Sequence, residues 1–209
     1  MRAHTFLSAD STSYLTGLRW PTPTEGSAAW IERDDDAIRA CLQRELVWWL
    51  DDELWEVELD GDVREVGRAL TASRARLLAR VGEWTADVAW ELVAVCARRV
   101  RNHAVESLRA AGCDEDAAEL EAAETPQAIE AIGAELASRG HDSSAVAGLA
   151  ADVVLYARDA REGPRAAAVA AYIAAYALAG GDKAAPAYQE RFDAERAWQA
   201  TWLSERLQL

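Results

Sequence analysis

The sequence is poor in several things that most functional classes need. It has a single lysine, Lys183, against 21 arginines, one methionine, three cysteines and three histidines in 209 residues. No apolar run approaches the roughly 18 residues that cross a bilayer. The opening "MRAHTFLSADSTSYLTG" lacks the charged start and apolar core of a secretory leader, so the protein is expected in the cytoplasm. Cys41, Cys96 and Cys113 are odd in number, far apart and outside any C-x-x-C pair, which argues against a disulfide framework and a zinc site. Only Cys96, followed by Arg98 and Arg99, has a setting that could lower a thiol pKa. His4, His103 and His141 include no E-x-x-H pair, so a di-iron bundle is not indicated. Neither G-x-x-x-x-G-K-[ST] nor G-x-G-x-x-G occurs, and no nucleotide loop is expected. No cofactor and no metal are implied.

What is present is acid and tryptophan. The net charge is -14, and a polyanion must be met by a basic face, so duplex nucleic acid and anionic membranes are not expected partners. Residues 1–60 carry 13 acids and 5 bases, residues 61–112 carry 6 and 9, and residues 113–209 carry 17 and 8. A mildly basic middle between acidic flanks can neutralise part of the imbalance internally. The remainder suits a cationic protein or small molecule as partner. The oligomeric state is left open.

With 51% hydrophobic residues the chain can bury a sizeable core without staples. Residues 1–33, with "YLTGLRWPTPTEGSAAW", read as an irregular arm pinned by Trp20 and Trp30. Residues 34–112 read as a helix from about Asp34 to Glu56, a β-hairpin, and a long helix. "WEVELDGDVREVGRALTAS" carries the hairpin near 55–71, around Asp60-Gly61. "RARLLARVGEW" fits either a short helix or a return strand. Thr85 can cap the long helix, which Gly112 ends. Residues 113–209 read as alanine-rich helices, with Thr125-Pro126 as a start, Gly140 as a stop, and Gly180-Gly181 before a last helix. The expected fold is mainly α, a bundle-like domain with one small hairpin, all packed as a single domain.

The combination of "EVELDGDV", "LTASRARLLARVGEW", alanine-rich helices and the closing "ERAWQATWLSERL" resembles a loose group of uncharacterised actinobacterial and phage proteins. Some of these carry the label immunity protein. The likeness covers residues 55–101 and 164–207, and it implies a helical protein of the bacterial cytoplasm with a binding role and no catalytic residues to carry over.

The densest stretch is "ELVWWLDDELWE", residues 45–56, with three tryptophans and five carboxylates. On a helical wheel Glu45, Asp52 and Glu56 share one stripe among Trp48, Trp49 and Trp55, while Arg44 and Asp51 take a solvent face. As a site, this would be a carboxylate pocket with aromatic walls, suited to acid–base work or to an organic cation. As architecture, the acids would pair with Arg74, Arg76, Arg80, Arg98 or Arg99. The spacing in "DDELWE" is similar to the D-D-x-x-x-E motif of class I terpene synthases, but their second metal motif is not found.

His103 lies on an apolar helix side and reads as a core residue or a general base. "GHDSS" has the form of a helix stop and start more than of a catalytic triad. Tyr172 and Tyr176 could line a cavity or fill gaps between close helices. Trp198 and Trp202 form an aromatic face for the core or for a partner. Two functions stay open. One is a non-enzymatic binding or regulatory protein, immunity-like. The other is a small enzyme acting on a hydrophobic or cationic molecule, with Glu45, Asp52, Glu56 and His103 as its acid and base groups.

Overall fold

The computed structural model describes residues 1–23, 28–35, 38–140, 144–160 and 164–209. It divides into two compact units, Met1–Ala86 with Gln199–Leu209, and Asp87–Trp198. Of the described residues 51% are helix and 17% strand, and the described strands form two antiparallel sheets of four and three. The fold is therefore α+β, which corrects the expectation of a mainly α protein with one hairpin near 55–71.

In the first unit the elements are β1 (Arg2–Leu7), β2 (Ile31–Glu32), β3 (Arg39–Ala40), a 3₁₀ helix (Gln43–Trp48), β4 (Glu53–Asp60), β5 (Arg64–Val66), β6 (Ala69–Thr71) and β7 (Arg74–Arg80). The strand orders are β1-β4-β7-β2 and β3-β6-β5. The helix expected over 34–56 does not form. Its residues supply β3, the 3₁₀ helix and the start of β4, and from Trp55 the apolar side chains Trp55, Val57 and Leu59 recur every second residue, the period that buries one face of a strand. The segment 1–33, expected to be irregular, contains β1, whose Thr5, Phe6 and Leu7 are buried.

The turn at Asp60-Gly61 exists but does not close the expected hairpin. β4 pairs with β1 and β7, while β5 pairs with β6 in the other sheet. Gly61 sits at φ +76°, and a Cβ there would collide with the Ser73 hydroxyl, so glycine is required where the chain crosses between sheets. The two sheets share one core. Ala3, Leu7, Val57, Leu59, Ala75 and Leu77 come from the inner face of the larger sheet, and Ala40 and Leu70 from the smaller, closed by Trp20 and Ile38.

The second unit is helical: α1 (Ala86–Ala110), α2 (Asp114–Glu121), α3 (Pro126–Ser138), α4 (Ala145–Ala160), α5 (Ala166–Leu178) and α6 (Tyr188–Leu207). The residues of α6 from Gln199 onward belong with the first unit. The start of α3 follows the sequence pattern: Thr125 Oγ1 accepts the Ala128 N–H at 3.2 Å and Pro126 opens the helix. Small residues let α3 and α4 approach closely. A Cβ at Gly133 would lie 3.2 Å from Ala151 Cβ and press on the Ala147 carbonyl. Among the described residues no helix is long and apolar enough to cross a membrane.

Candidate functional site

Because residues 45–56 are not helical, the carboxylates expected on one stripe are dispersed. Glu45, on the 3₁₀ helix, lies between Arg68 at 3.5 Å and Arg44 at 3.7 Å. The Arg68 guanidinium stacks on Trp48 at 3.9 Å, and Trp49 Nε1 donates to the Arg68 carbonyl at 3.3 Å. Glu45 and these two rings thus form a structural knot around one arginine. Asp52 accepts the Ala9 N–H at 3.1 Å. Trp55 is turned into the core, with Nε1 donating to Glu53 at 3.0 Å, and Glu53 pairs with Arg80 at 3.3 Å. Asp51 corrects the wheel most directly. Expected on the solvent face, it is 3% exposed, and its carboxylate accepts the Asp52 N–H.

Glu56 is different. Along β4 the acids alternate, and the register of the sheet decides which of them meets an arginine. Glu58 lies opposite Arg76, which holds it at 2.6 Å, and Asp60 lies opposite Arg74 at 3.6 Å. Glu56 lies opposite Ala79 on one side and His4 on the other, at a register shift between Glu56 and Val57. The extra residue is Leu78 on β7, so an apolar stretch of that strand stands beside Glu56. No ion pair joins Glu56 to a described residue.

The geometry of β1 brings His4 close to it. The His4 backbone N–H and C=O both bond to Cys41, at 2.9 and 2.7 Å. His4 and Glu56 are therefore a non-hydrogen-bonded pair of the antiparallel ladder, the kind whose side chains stand closest. Both face a cleft of about 560 Å³ whose wall includes Arg2, Gln43, Arg44 and Gln208. His4 Nδ1 is buried and accepts or donates no hydrogen bond among the described residues. Most buried polar atoms are satisfied, so an unpartnered imidazole nitrogen beside an unpaired carboxylate marks this cleft. Arg44, by contrast, is already engaged with Glu65 at 2.7 Å.

Burial pushes the His4 imidazole below the usual histidine pKa, and the Glu56 carboxylate partly offsets this. The consequence for stability has a definite sign. Between the unfolded value near 6.5 and the lower folded one, the unfolded chain binds more protons. The contribution of His4 is complete above that window and declines as the pH falls through it. The melting temperature of the wild type is expected to fall more steeply below about pH 6.5 than that of His4→Gln. Parallel melting curves for the two proteins would contradict this.

Sequence reasoning found Glu56 but not its companions. His4 stands 52 positions away in a segment with no local signal for pairing, and only the β1–β4 register joins them. The alternation of Arg2, His4 and Phe6 with Ala3, Thr5 and Leu7 was the one available hint of a strand.

The remaining candidates lie in the second unit, apart from the last tryptophan. His103 is half-buried on α1 and its carbonyl accepts the Ser107 hydroxyl at 2.9 Å. Tyr172 and Tyr176 pack edge-on against Phe192 and Tyr188, with Lys183 Nζ 5.7 and 5.9 Å from their ring centres. Trp198 carries the Arg99 guanidinium at 3.7 Å. Trp202, half-buried, belongs with the first unit. Cys96 is fully buried, and burial pushes its thiol up to about 12, so it holds no thiolate near neutrality. In "GHDSS", His141, Asp142 and Ser143 fall outside the described residues. Among the described residues no group of three or more His, Cys, Asp or Glu could hold a metal ion. Compared with known proteins, the chain matches no family model, no curated protein and no solved structure.

Proposed function

We propose that this chain is a non-catalytic binding protein of regulatory or immunity type, acting in the bacterial cytoplasm. Its cleft over β1 and β4 receives a cationic group of the partner. The observation that carries this reading is Glu56, an unpaired carboxylate in a sheet whose other β4 acids are held by arginines. The net charge of -14 supports it, since a negative field speeds the approach of a basic partner before contact is made.

Isothermal titration with a short arginine-rich peptide tests the reading. Wild type is expected to bind with an affinity that falls as salt is raised, and Glu56→Gln to bind about tenfold more weakly, as loss of one charge-assisted hydrogen bond implies. Equal affinity of the two proteins would overturn it.

One observation favours a second reading, the small enzyme. A neutral imidazole with an unpartnered Nδ1 next to a carboxylate is an arrangement that can pass a proton. In that case turnover of a cationic substrate would need both His4 and Glu56, whereas the binding reading needs only Glu56.

A further inference from the structure

We infer that the cleft reads two opposite charges together, and that its ligand is a basic residue next to a carboxylate, as at the carboxyl end of a peptide finishing in arginine or lysine. This rests on the reading that Glu56 takes a cation. It adds Arg2 as the receptor for an anion.

The argument starts from the register. Arg2 on β1 lies opposite Glu58. Glu58 is already held by Arg76 through Nε at 2.7 Å and Nη2 at 2.6 Å. Arg2 therefore faces an acid whose partner is taken, and no ion pair joins Arg2 to a described residue. Arg2 and His4 alternate on the same face of β1, and Glu56 stands opposite His4. Arg2 and Glu56 are thus diagonal neighbours across the ladder, with backbones on the order of 7–8 Å apart.

That separation sets what one ligand must span to meet both receptors. A bare ammonium or a bare phosphate reaches one receptor and gains nothing from the other. In a basic residue with its own α-carboxylate, the side-chain charge and the carboxylate are separated by a flexible stem of several bonds, which can span the diagonal. The guanidinium of Arg2 offers the forked geometry that carboxylates accept. The wall of the cleft also includes Gln43 and Gln208, which carry amides, and the aliphatic Leu42 and Leu209. The cleft volume of about 560 Å³ holds a residue or two. His4, mostly neutral near pH 7, adds no competing charge, and Arg44, also on the wall, is engaged by Glu65 at 2.7 Å.

The experiment compares two otherwise identical short peptides ending in arginine, one with a free α-carboxylate and one with an amide. Each is titrated calorimetrically into wild type, Arg2→Gln and Glu56→Gln. Arg2 is exposed, so its replacement leaves the core alone. Wild type is expected to prefer the carboxylate peptide about tenfold. Arg2→Gln should lose that preference while binding the amide peptide as wild type does, and Glu56→Gln should weaken both. If wild type binds both peptides equally and Glu56→Gln still weakens both, the two-charge ligand is wrong and the cation reading stands. If neither peptide binds wild type, or binding is indifferent to Glu56, both readings fall.

Discussion

Trp84→Ala is expected to destabilise the first unit by about 4 kcal/mol, within the usual range for emptying a buried tryptophan site. The residue is 2% exposed and meets Phe6 edge-on at 5.7 Å. Its Nε1 donates to the Asp51 carbonyl at 2.8 Å. Phe6 and Leu54 are opposite one another on β1 and β4, two positions along from His4 and Glu56, and Trp84 covers that end of the same sheet face. The substitution removes the cover and the Nε1 hydrogen bond to that carbonyl, and both effects point the same way. Trp84→Phe, which keeps most of the volume and loses only the N–H, should cost about 1–2 kcal/mol. Urea unfolding followed by circular dichroism measures both. A loss below about 1 kcal/mol for the alanine variant would mean that Trp84 does not close the sheet.

The second large effect lies in the helical unit. Glu195 is 5% exposed and is held by Arg99 through two hydrogen bonds, at 2.9 and 2.6 Å. The same guanidinium lies over Trp198 at 3.7 Å. Arg99→Met leaves a buried carboxylate without this bidentate partner and is expected to cost about 3 kcal/mol. The double variant Arg99→Met, Glu195→Leu should recover most of that loss, because replacing both charges removes the desolvation penalty along with the attraction. Thermal melts of the two single variants and the double variant decide it. Equal losses in Arg99→Met and in the double variant would assign the effect to lost packing on Trp198 instead of the broken ion pair.

These two sites also show which parts of the molecule the sequence discloses. The helices from Ala86 onward are announced by local chemistry: a threonine cap at Thr125, proline at Pro126, and glycines at Gly112 and Gly140 with positive φ. The first unit is not so marked. "ELVWWLDDELWE" satisfies a helical period by coincidence, because its residues are divided between a 3₁₀ turn, a short link and a strand. From Trp55 to Asp60 the true period of two is visible, and the same alternation extends back only as far as packing permits. Leu54 and Trp55, successive residues on opposite faces of β4, are both buried, and that breaks the pattern a half-buried strand would show. β1 is obscured for the same reason, since Phe6 is buried on the outer face.

The site was legible only in part. Of the stripe expected to pair with Arg74, Arg76, Arg80, Arg98 or Arg99, Glu45 does lie beside arginines, but these are Arg44 and Arg68, and Arg80 takes Glu53, which is not in the stripe. Whether a given acid on β4 meets an arginine is decided by the register with β7, which places the apolar Leu78 and Ala79 at the level of Glu56. No local window of sequence contains that information.

Glu56 as the receptor for a partner's cation is tested most directly at its neighbour. The carboxylate's charge holds the His4 pKa higher than burial alone would. A cation seated on Glu56 cancels that support. Nuclear magnetic resonance titration of the His4 ring, with and without saturating arginine peptide, should show its titration midpoint moving further down when the peptide is bound. Binding that leaves the His4 midpoint unchanged would place the peptide elsewhere and contradict the assignment.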